Sequence, residues 1–302
     1  MLTRPHDPGS AGFAAASAAY LIWGLSPIYF KALRPSPPLE ILAHRVVWSV
    51  AFLAATVALS GRWGTVRDAL AKPRVRAVLA LTTVLISCNW LLYIWAVNGG
   101  RVLEASLGYF VNPLVNVALG AVVLRESLSR RQLVAVAIAA AGVAVLVVRA
   151  GALPWVSLAL ALSFGLYGLL RKTAQVDALG GLFVETALLA PVSLGYLAVR
   201  HGRGEGTFGG APGPSLLLAA AGLITAVPLV LFAVGVRRLR LSTIGLVQFI
   251  APTTQFLLAV ALYREPLSSA HVAAFALIWL SLAIYASDLR FSAPARAPRG
   301  AR

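Results

Sequence analysis

Residues 101–129, RVLEASLGYFVNPLVNVALGAVVLRESLS, and residues 240–268, RLSTIGLVQFIAPTTQFLLAVALYREPLS, are two versions of one sequence 139 positions apart. Arg101, Leu107, Phe110, Pro113, Arg125, Glu126, Leu128 and Ser129 recur as Arg240, Leu246, Phe249, Pro252, Arg264, Glu265, Leu267 and Ser268. At a shift of 141, Gly24, Leu25 and Lys31 recur as Gly165, Leu166 and Lys172. One such match is weak evidence in a chain so rich in Ala and Leu. Two collinear matches at nearly equal shifts mark a duplicated unit, and a duplicated unit dictates how everything between its copies is read.

Each copy lies in strongly apolar sequence. The 302 residues are 59% hydrophobic and only 12% charged, with a mean hydropathy of +0.83. A soluble domain is about 25% charged, so lipid is the solvent that this composition fits. Runs near the ~20 residues that a spanning helix requires fall at 13–31, 39–60, 75–97, 103–124, 131–149, 153–171, 180–199, 215–236, 241–263 and 270–289. The expected fold is an all-α polytopic membrane protein of ten transmembrane helices. A cytoplasmic tail (1–12) precedes a five-helix repeat (13–149); a second such repeat (150–289) and a basic tail (290–302) follow. Five is odd, so the second copy enters the membrane upside down. Inverted repeats of this kind let a carrier rock between two nearly equivalent states, although a duplication can also persist as scaffold alone.

The net charge of +16 would suggest nucleic acid in a soluble protein. Here the basic residues sit between the apolar runs, so anionic lipid head groups are the expected partner and nucleic acid is not. Eighteen of the 26 Lys and Arg residues fall on the side that holds both termini and seven on the other. Positive charge stays inside, which places both termini in the cytoplasm. Met1 to Gly12 is too polar and Pro-rich for a secretory signal. The single cysteine, Cys88, and four scattered histidines offer no metal site, and no cofactor is expected.

Polar residues deep in a span are costly unless they face protein or a water-filled path. Tyr109, Asn112 and Asn116 form one stripe of the fourth span, and Gln248 and Gln255 occupy the repeat-equivalent positions in the ninth. Asn89, Trp90 and Tyr93 come from the third span, Tyr20 and Trp23 from the first and Tyr167 from the sixth. Together they describe a substrate path with amide groups and aromatic walls. Any single amide could equally serve as an interhelical hydrogen bond. His44 and Arg45 begin the second span, and Glu185 is the repeat equivalent of His44. Arg45 either faces the path or snorkels to the outer head groups. His44 is either a proton carrier, with its ordinary pKa near neutrality, or a satisfied structural histidine. As mirror positions at opposite depths, His44 and Glu185 are not expected to touch. The Arg125-Glu126 and Arg264-Glu265 pairs read as caps of the turn into the next helix.

The stretch Tyr20-Leu-Ile-Trp-Gly-Leu-Ser-Pro-Ile-Tyr-Phe-Lys31, then Glu40-Ile-Leu-Ala-His-Arg45, Asn89-Trp90-Leu-Leu-Tyr93 and Glu104-Ala-Ser-Leu-Gly-Tyr-Phe-Val-Asn-Pro113, resembles the RarD ("chloramphenicol-sensitive") branch of EamA permeases in the drug/metabolite transporter superfamily. The resemblance covers all but about the first and last dozen residues. It implies a permease of the bacterial cytoplasmic membrane with both termini inside. Members of the superfamily export amino acids, metabolites or drugs, or exchange nucleotide sugars, so the resemblance names a mechanism without a cargo.

The expected function is secondary transport of a small metabolite, amino acid or drug by alternating access, in the direction of export. A homodimer is compatible with the sequence. No Gly-x-x-x-x-Gly-Lys-Ser/Thr loop is present for an ATP-driven pump. An intramembrane enzyme would need a convergent acid–base set, and a sensory subunit would need an output domain. Ten acidic residues in all and a short C-terminal tail make both alternatives poorer fits. The orientation is testable: a fluorescent protein fused after Arg302 is expected to fluoresce, and alkaline phosphatase fused there to be inactive. The reverse result would invert the topology.

Overall fold

The computed structural model describes residues 8–123, 125, 128–150, 153–174, 176–238 and 247–291. Among them there is no strand. The helices are α1 (Pro8–Ala32), α2 (Pro38–Leu59), α3 (Trp63–Ala71), α4 (Pro73–Asn98), α5 (Val102–Val123), α6 (Arg130–Ala150), α7 (Trp155–Ala174), α8 (Ala178–Gly202) and α9 (Pro212–Arg238). After residues 239–246 come α10 (Ile250–Leu257), a π-turn (Leu258–Leu262) and α11 (Ser269–Phe291). Seven of these are long and apolar enough to cross a membrane, and Trp155–Arg171, Ile250–Leu262 and Ser269–Tyr285 are shorter apolar helices. Their outward faces are apolar as well: Leu59 is 91% exposed, Val148 80% and Val192 73%. Helices hydrophobic all round belong in lipid.

Local chemistry sets the ends. Pro38 and Pro73 stand in the first turns of α2 and α4, where a missing N–H costs nothing. Gly61 and Gly100 take positive φ angles of 66° and 74° just beyond α2 and α4, and the Arg101 amide closes on the Ala96 carbonyl at 2.8 Å. The Asn98-Gly99-Gly100-Arg101 tight turn expected from sequence is thus present. Ser129 and Gln132 form a reciprocal capping box at α6, and the repeat-equivalent Ser268 and His271 do the same at α11. This is the Ser-x-x-Gln signature of a helix start. Helix α3 was not foreseen. It is a short amphipathic piece whose Val66 and Ala69 pack with Val57, Leu79 and Val184.

The tertiary contacts have a regular logic. Helix α1 packs on α9 and α7 on α4; α5 packs on α7 and α10 on α1; α2 packs on α9 and α8 on α4. The pairs α2·α8, α5·α10 and α6·α11 are the other large contacts between the two halves. Exchanging α1, α2, α4, α5 and α6 for α7, α8, α9, α10 and α11 leaves this list unchanged. The backbone repeats too: the non-glycine residues with positive φ among those described are Arg125 (55°) and Arg264 (52°), a repeat-equivalent pair.

Several crossings are close enough to exclude side chains, as expected where small residues let backbones approach. A Cβ on Gly24 would lie 2.7 Å from the Thr254 Cβ, and one on its repeat mate Gly165 would lie 2.8 Å from Val115 Cγ1. Those are the α1/α10 and α7/α5 crossings. At α2/α9 a Cβ on Gly222 would come within 2.5 Å of the Trp48 backbone, which has no rotamer to yield. Gly222→Val is therefore expected to lower the thermal midpoint of the purified protein, the overpacking costing about 1–3 kcal/mol. Gly195→Ala, with open space around it, is expected to leave the midpoint unchanged.

Candidate functional site

Arg45 projects from α2, seven residues beyond its N-terminal Pro38, into the space between α1, α4 and α9. Its Nε donates to Thr225 Oγ1 of α9 at 2.9 Å. The Thr225 hydroxyl in turn donates to the Ala221 carbonyl at 2.9 Å, which leaves its oxygen free to accept. The guanidinium lies over the Trp90 ring, 4.0 Å from its centroid, and 5.7 Å from that of Phe30. Stacking on an aromatic face suits the weakly hydrated guanidinium. Arg45 is held within the bundle; it does not reach out to head groups.

Glu185, the repeat equivalent of His44 beside Arg45, stands on α8 seven residues beyond Ala178 and is fully buried. Its Oε1 accepts from Thr82 Oγ1 of α4 at 2.7 Å and lies 3.7 Å from Arg171 Nη1. Its Oε2 accepts from the Tyr167 hydroxyl at 3.1 Å. Arg171 reaches it across Gly181, where any Cβ would collide with the guanidinium. Arg171 also donates to the Asp177 carbonyl at 3.2 Å; the Asp177 carboxylate meets Arg62 at 3.4 Å and caps α8 through the Gly180 amide. A buried carboxylate needs its lone pairs filled and a cation nearby, and this one has both. Thus a cation on α2 meets a threonine of α9, and an anion on α8 meets a threonine of α4.

A ladder of rings joins the two charges. Phe30, beside Arg45, contacts Tyr93 (5.8 Å between centroids); Tyr93 contacts Tyr109 (5.7 Å), Tyr109 contacts Phe164 (6.4 Å), and Phe164 contacts Tyr167 (5.9 Å). Most of these meet edge to face, the arrangement that ring quadrupoles favour. Beside it runs a polar thread. Gln255 Nε2 donates to the Trp23 carbonyl at 3.2 Å, Ser26 Oγ donates to the same carbonyl at 2.6 Å, and Ser26 shares a 2.8 Å hydrogen bond with the Tyr93 hydroxyl.

The end of the bundle that holds the α4–α5 turn is clasped twice. Glu265 accepts from the Val102 and Leu103 amides at the start of α5, at 2.9 and 2.8 Å, and lies 3.8 Å from Lys31 Nζ, which sits over the Tyr263 ring. This corrects the reading of the Arg-Glu pair as a cap of the following helix. Glu265 caps a helix of the other half, and Ser268 caps α11. Glu126 lies outside the described residues. The second clasp is Glu40, 1% exposed, which accepts from the Thr207 amide and hydroxyl at 2.7 Å and pairs with Arg200 at 3.3 Å.

Of the residues singled out from sequence, Arg45, Trp90, Tyr93, Tyr109, Tyr167 and Glu185 belong to the ladder or its ends. Tyr20 and Trp23 pack with Phe232 in a neighbouring cluster. Asn89 spends its amide on the Leu160 carbonyl and Ser163 Oγ, a bond between α4 and α7. Asn116 donates to Asn112 along their own helix, Gln255 reaches Trp23, and Gln248 is half-buried at the start of the described part of its segment. His44 is buried and stacked on Phe208 at 4.9 Å, away from the ladder. Sequence reading missed Phe30, Thr82, Thr225 and Ser26. Small hydroxyls inside spans are common, and nothing local tells which of them meets a charge.

The chain is similar to known proteins. The model of the EamA-like transporter family matches residues 10–148. An uncharacterized transporter of Pseudomonas aeruginosa is 47% identical over 92% of this chain and 93% of its own. The proteins named RarD of Streptomyces exfoliatus and Escherichia coli are each 45% identical over 92% of this chain, and over 88% and 94% of their own. A solved structure, titled only as the crystal structure of a protein, shares the fold with a TM-score of 0.59 over 94% of this chain and 99% of its own, at 22% identity. These names point to a transporter rather than an enzyme, and the chain is a multi-pass membrane protein that belongs to the EamA-like transporter family, among its RarD-type members.

Proposed function

We propose that this chain is a secondary transporter that moves a small metabolite, amino acid or drug out across the bacterial cytoplasmic membrane by alternating access. It would do so as ten spans in two inverted five-helix repeats, with both termini in the cytoplasm. The observation that carries the reading is the pair of opposite buried charges, Arg45 and Glu185. They stand on pseudo-equivalent helices, each hydrogen-bonded to a threonine of the pseudo-equivalent partner helix, with an aromatic ladder between them. Buried charge is expensive in a membrane interior and is retained where solutes or ions pass. The contact list that survives exchange of the halves supports inversion, and the three shorter apolar helices bring the spans to ten.

Alternating access needs contacts that break at one end while others form at the opposite end. Glu265 with Lys31, and Glu40 with Arg200 and Thr207, are such contacts at the α4–α5 end. Arg62 with Asp177 and Arg171 with Glu185 stand toward the other. Purified protein screened by thermal shift against amino acids, aromatic metabolites and drugs is expected to yield a solute that raises the midpoint of wild type but not of Gln255→Ala or Asn116→Ala. A screen in which no solute acts, or acts equally on the variants, counts against the path. With that solute in proteoliposomes, a pH gradient is expected to drive uptake, and His44→Gln combined with Glu185→Gln to abolish the pH dependence. Undiminished pH-driven flux in the double variant would contradict proton coupling through these groups.

A further inference from the structure

The two buried charges differ in one respect that bears on the cargo. Glu185 has a cation within 3.7 Å, whereas no carboxylate among the described residues lies within ion-pair distance of Arg45. Only Nε of its guanidinium is hydrogen-bonded, to a neutral hydroxyl; the two terminal nitrogens make no hydrogen bond to a described residue. Three phenols stand around it: Tyr29 and Tyr93, both against Phe30, and Tyr109 against Tyr93. Two of those hydroxyls are already engaged, Tyr29 with the Leu217 carbonyl at 2.7 Å and Tyr93 with Ser26 at 2.8 Å. The Tyr109 hydroxyl has no hydrogen-bond partner among the described residues. An arginine within a span is retained where something compensates its charge, and the protein around Arg45 supplies only ring faces and dipoles.

Starting from the carrier reading, we propose that Arg45 is the anchor for an anionic cargo, an aromatic or apolar carboxylate. Its oxygens accept from the terminal nitrogens of Arg45, and the planar guanidinium matches the carboxylate fork. The Tyr109 hydroxyl is positioned as a further donor, and Trp90, Tyr93 and Phe164 supply the apolar walls for the ring. The anchoring charge is unique to one half: the repeat equivalent of Arg45 is Thr186, whose hydroxyl is bonded to the Leu182 carbonyl of its own helix at 2.9 Å. A carboxylate therefore has one anchor in the pathway. Beyond the ladder the cation Arg171 is already paired with Glu185.

The test uses full-length protein in lipid-free detergent, with Trp fluorescence as readout and three probes of one shape: phenylacetate, its neutral amide and phenethylamine. Wild type is expected to prefer phenylacetate by at least about tenfold, the scale of one charge-assisted bidentate contact. Arg45→Gln is expected to lose the preference and Arg45→Lys to keep part of it. Equal binding of carboxylate and amide by wild type would overturn the assignment without any variant having to fold, as would a preference retained in Arg45→Gln. Phosphatidylglycerol dispersed in mixed detergent micelles that displaces phenylacetate at matched anion concentration would also overturn it, in favour of a lipid head group as the occupant. Flux separates this from the carrier reading. Transport of phenethylamine in proteoliposomes, unimpaired by Arg45→Gln, would overturn the anion anchor and leave the carrier standing. Phenylacetate bound with the expected preference but never moved would uphold the anchor and remove the carrier.

Discussion

Several helix crossings among the described residues are too tight for a side chain, among them Gly24 of α1 against Thr254 of α10 and Gly165 of α7 against Val115 of α5. Lipid gives no hydrophobic drive for helices to associate with one another, so close packing and interhelical hydrogen bonds must hold the bundle together. These two contacts bind helices of opposite halves. Gly222 against Trp48 at α2/α9 brings together the two helices across which Arg45 reaches Thr225. At α2/α9 the close approach and the buried charge belong to one crossing.

The two halves of the sequence differ where the charges stand. Where the first half carries His44-Arg45 the second carries Glu185-Thr186, and where the first carries Glu40 the second carries Gly181. Each change has a visible consequence. Glu40 clasps Thr207 and Arg200 at one end of the bundle, while Gly181 opens the room through which Arg171 reaches Glu185. A symmetric frame with asymmetric charges suits a carrier, because the two end states can be close in energy while the cargo meets a different electrostatic environment on each side of the ladder.

Much of this was legible in the sequence. Seven apolar spans follow from apolar length, and the tight turn from Asn98-Gly99-Gly100-Arg101. Arg45 and Glu185 were conspicuous because charges in apolar runs are rare. What could not be read was pairing. Thr225 and Thr82 look like any helix threonine bonded to its own backbone, and only three-dimensional proximity shows that they also hold a charge. Glu265 looked local, yet the amides it caps are more than 160 residues away in sequence. Helix α3 is too short to register as a span, and the π-turn at Leu258–Leu262 has no sequence signature distinct from ordinary helix.

The central claim is that one pathway, lined by the ladder between Arg45 and Glu185, opens in turn to each side of the membrane. It is tested most directly by the reactivity of a single thiol placed at Tyr109, with Cys88 replaced by serine, toward a membrane-impermeant reagent in right-side-out and inside-out vesicles. Alternating access predicts labelling from both faces, with any condition that slows it from one face speeding it from the other. Labelling from one face only, whatever the conditions, would contradict alternating access through this site.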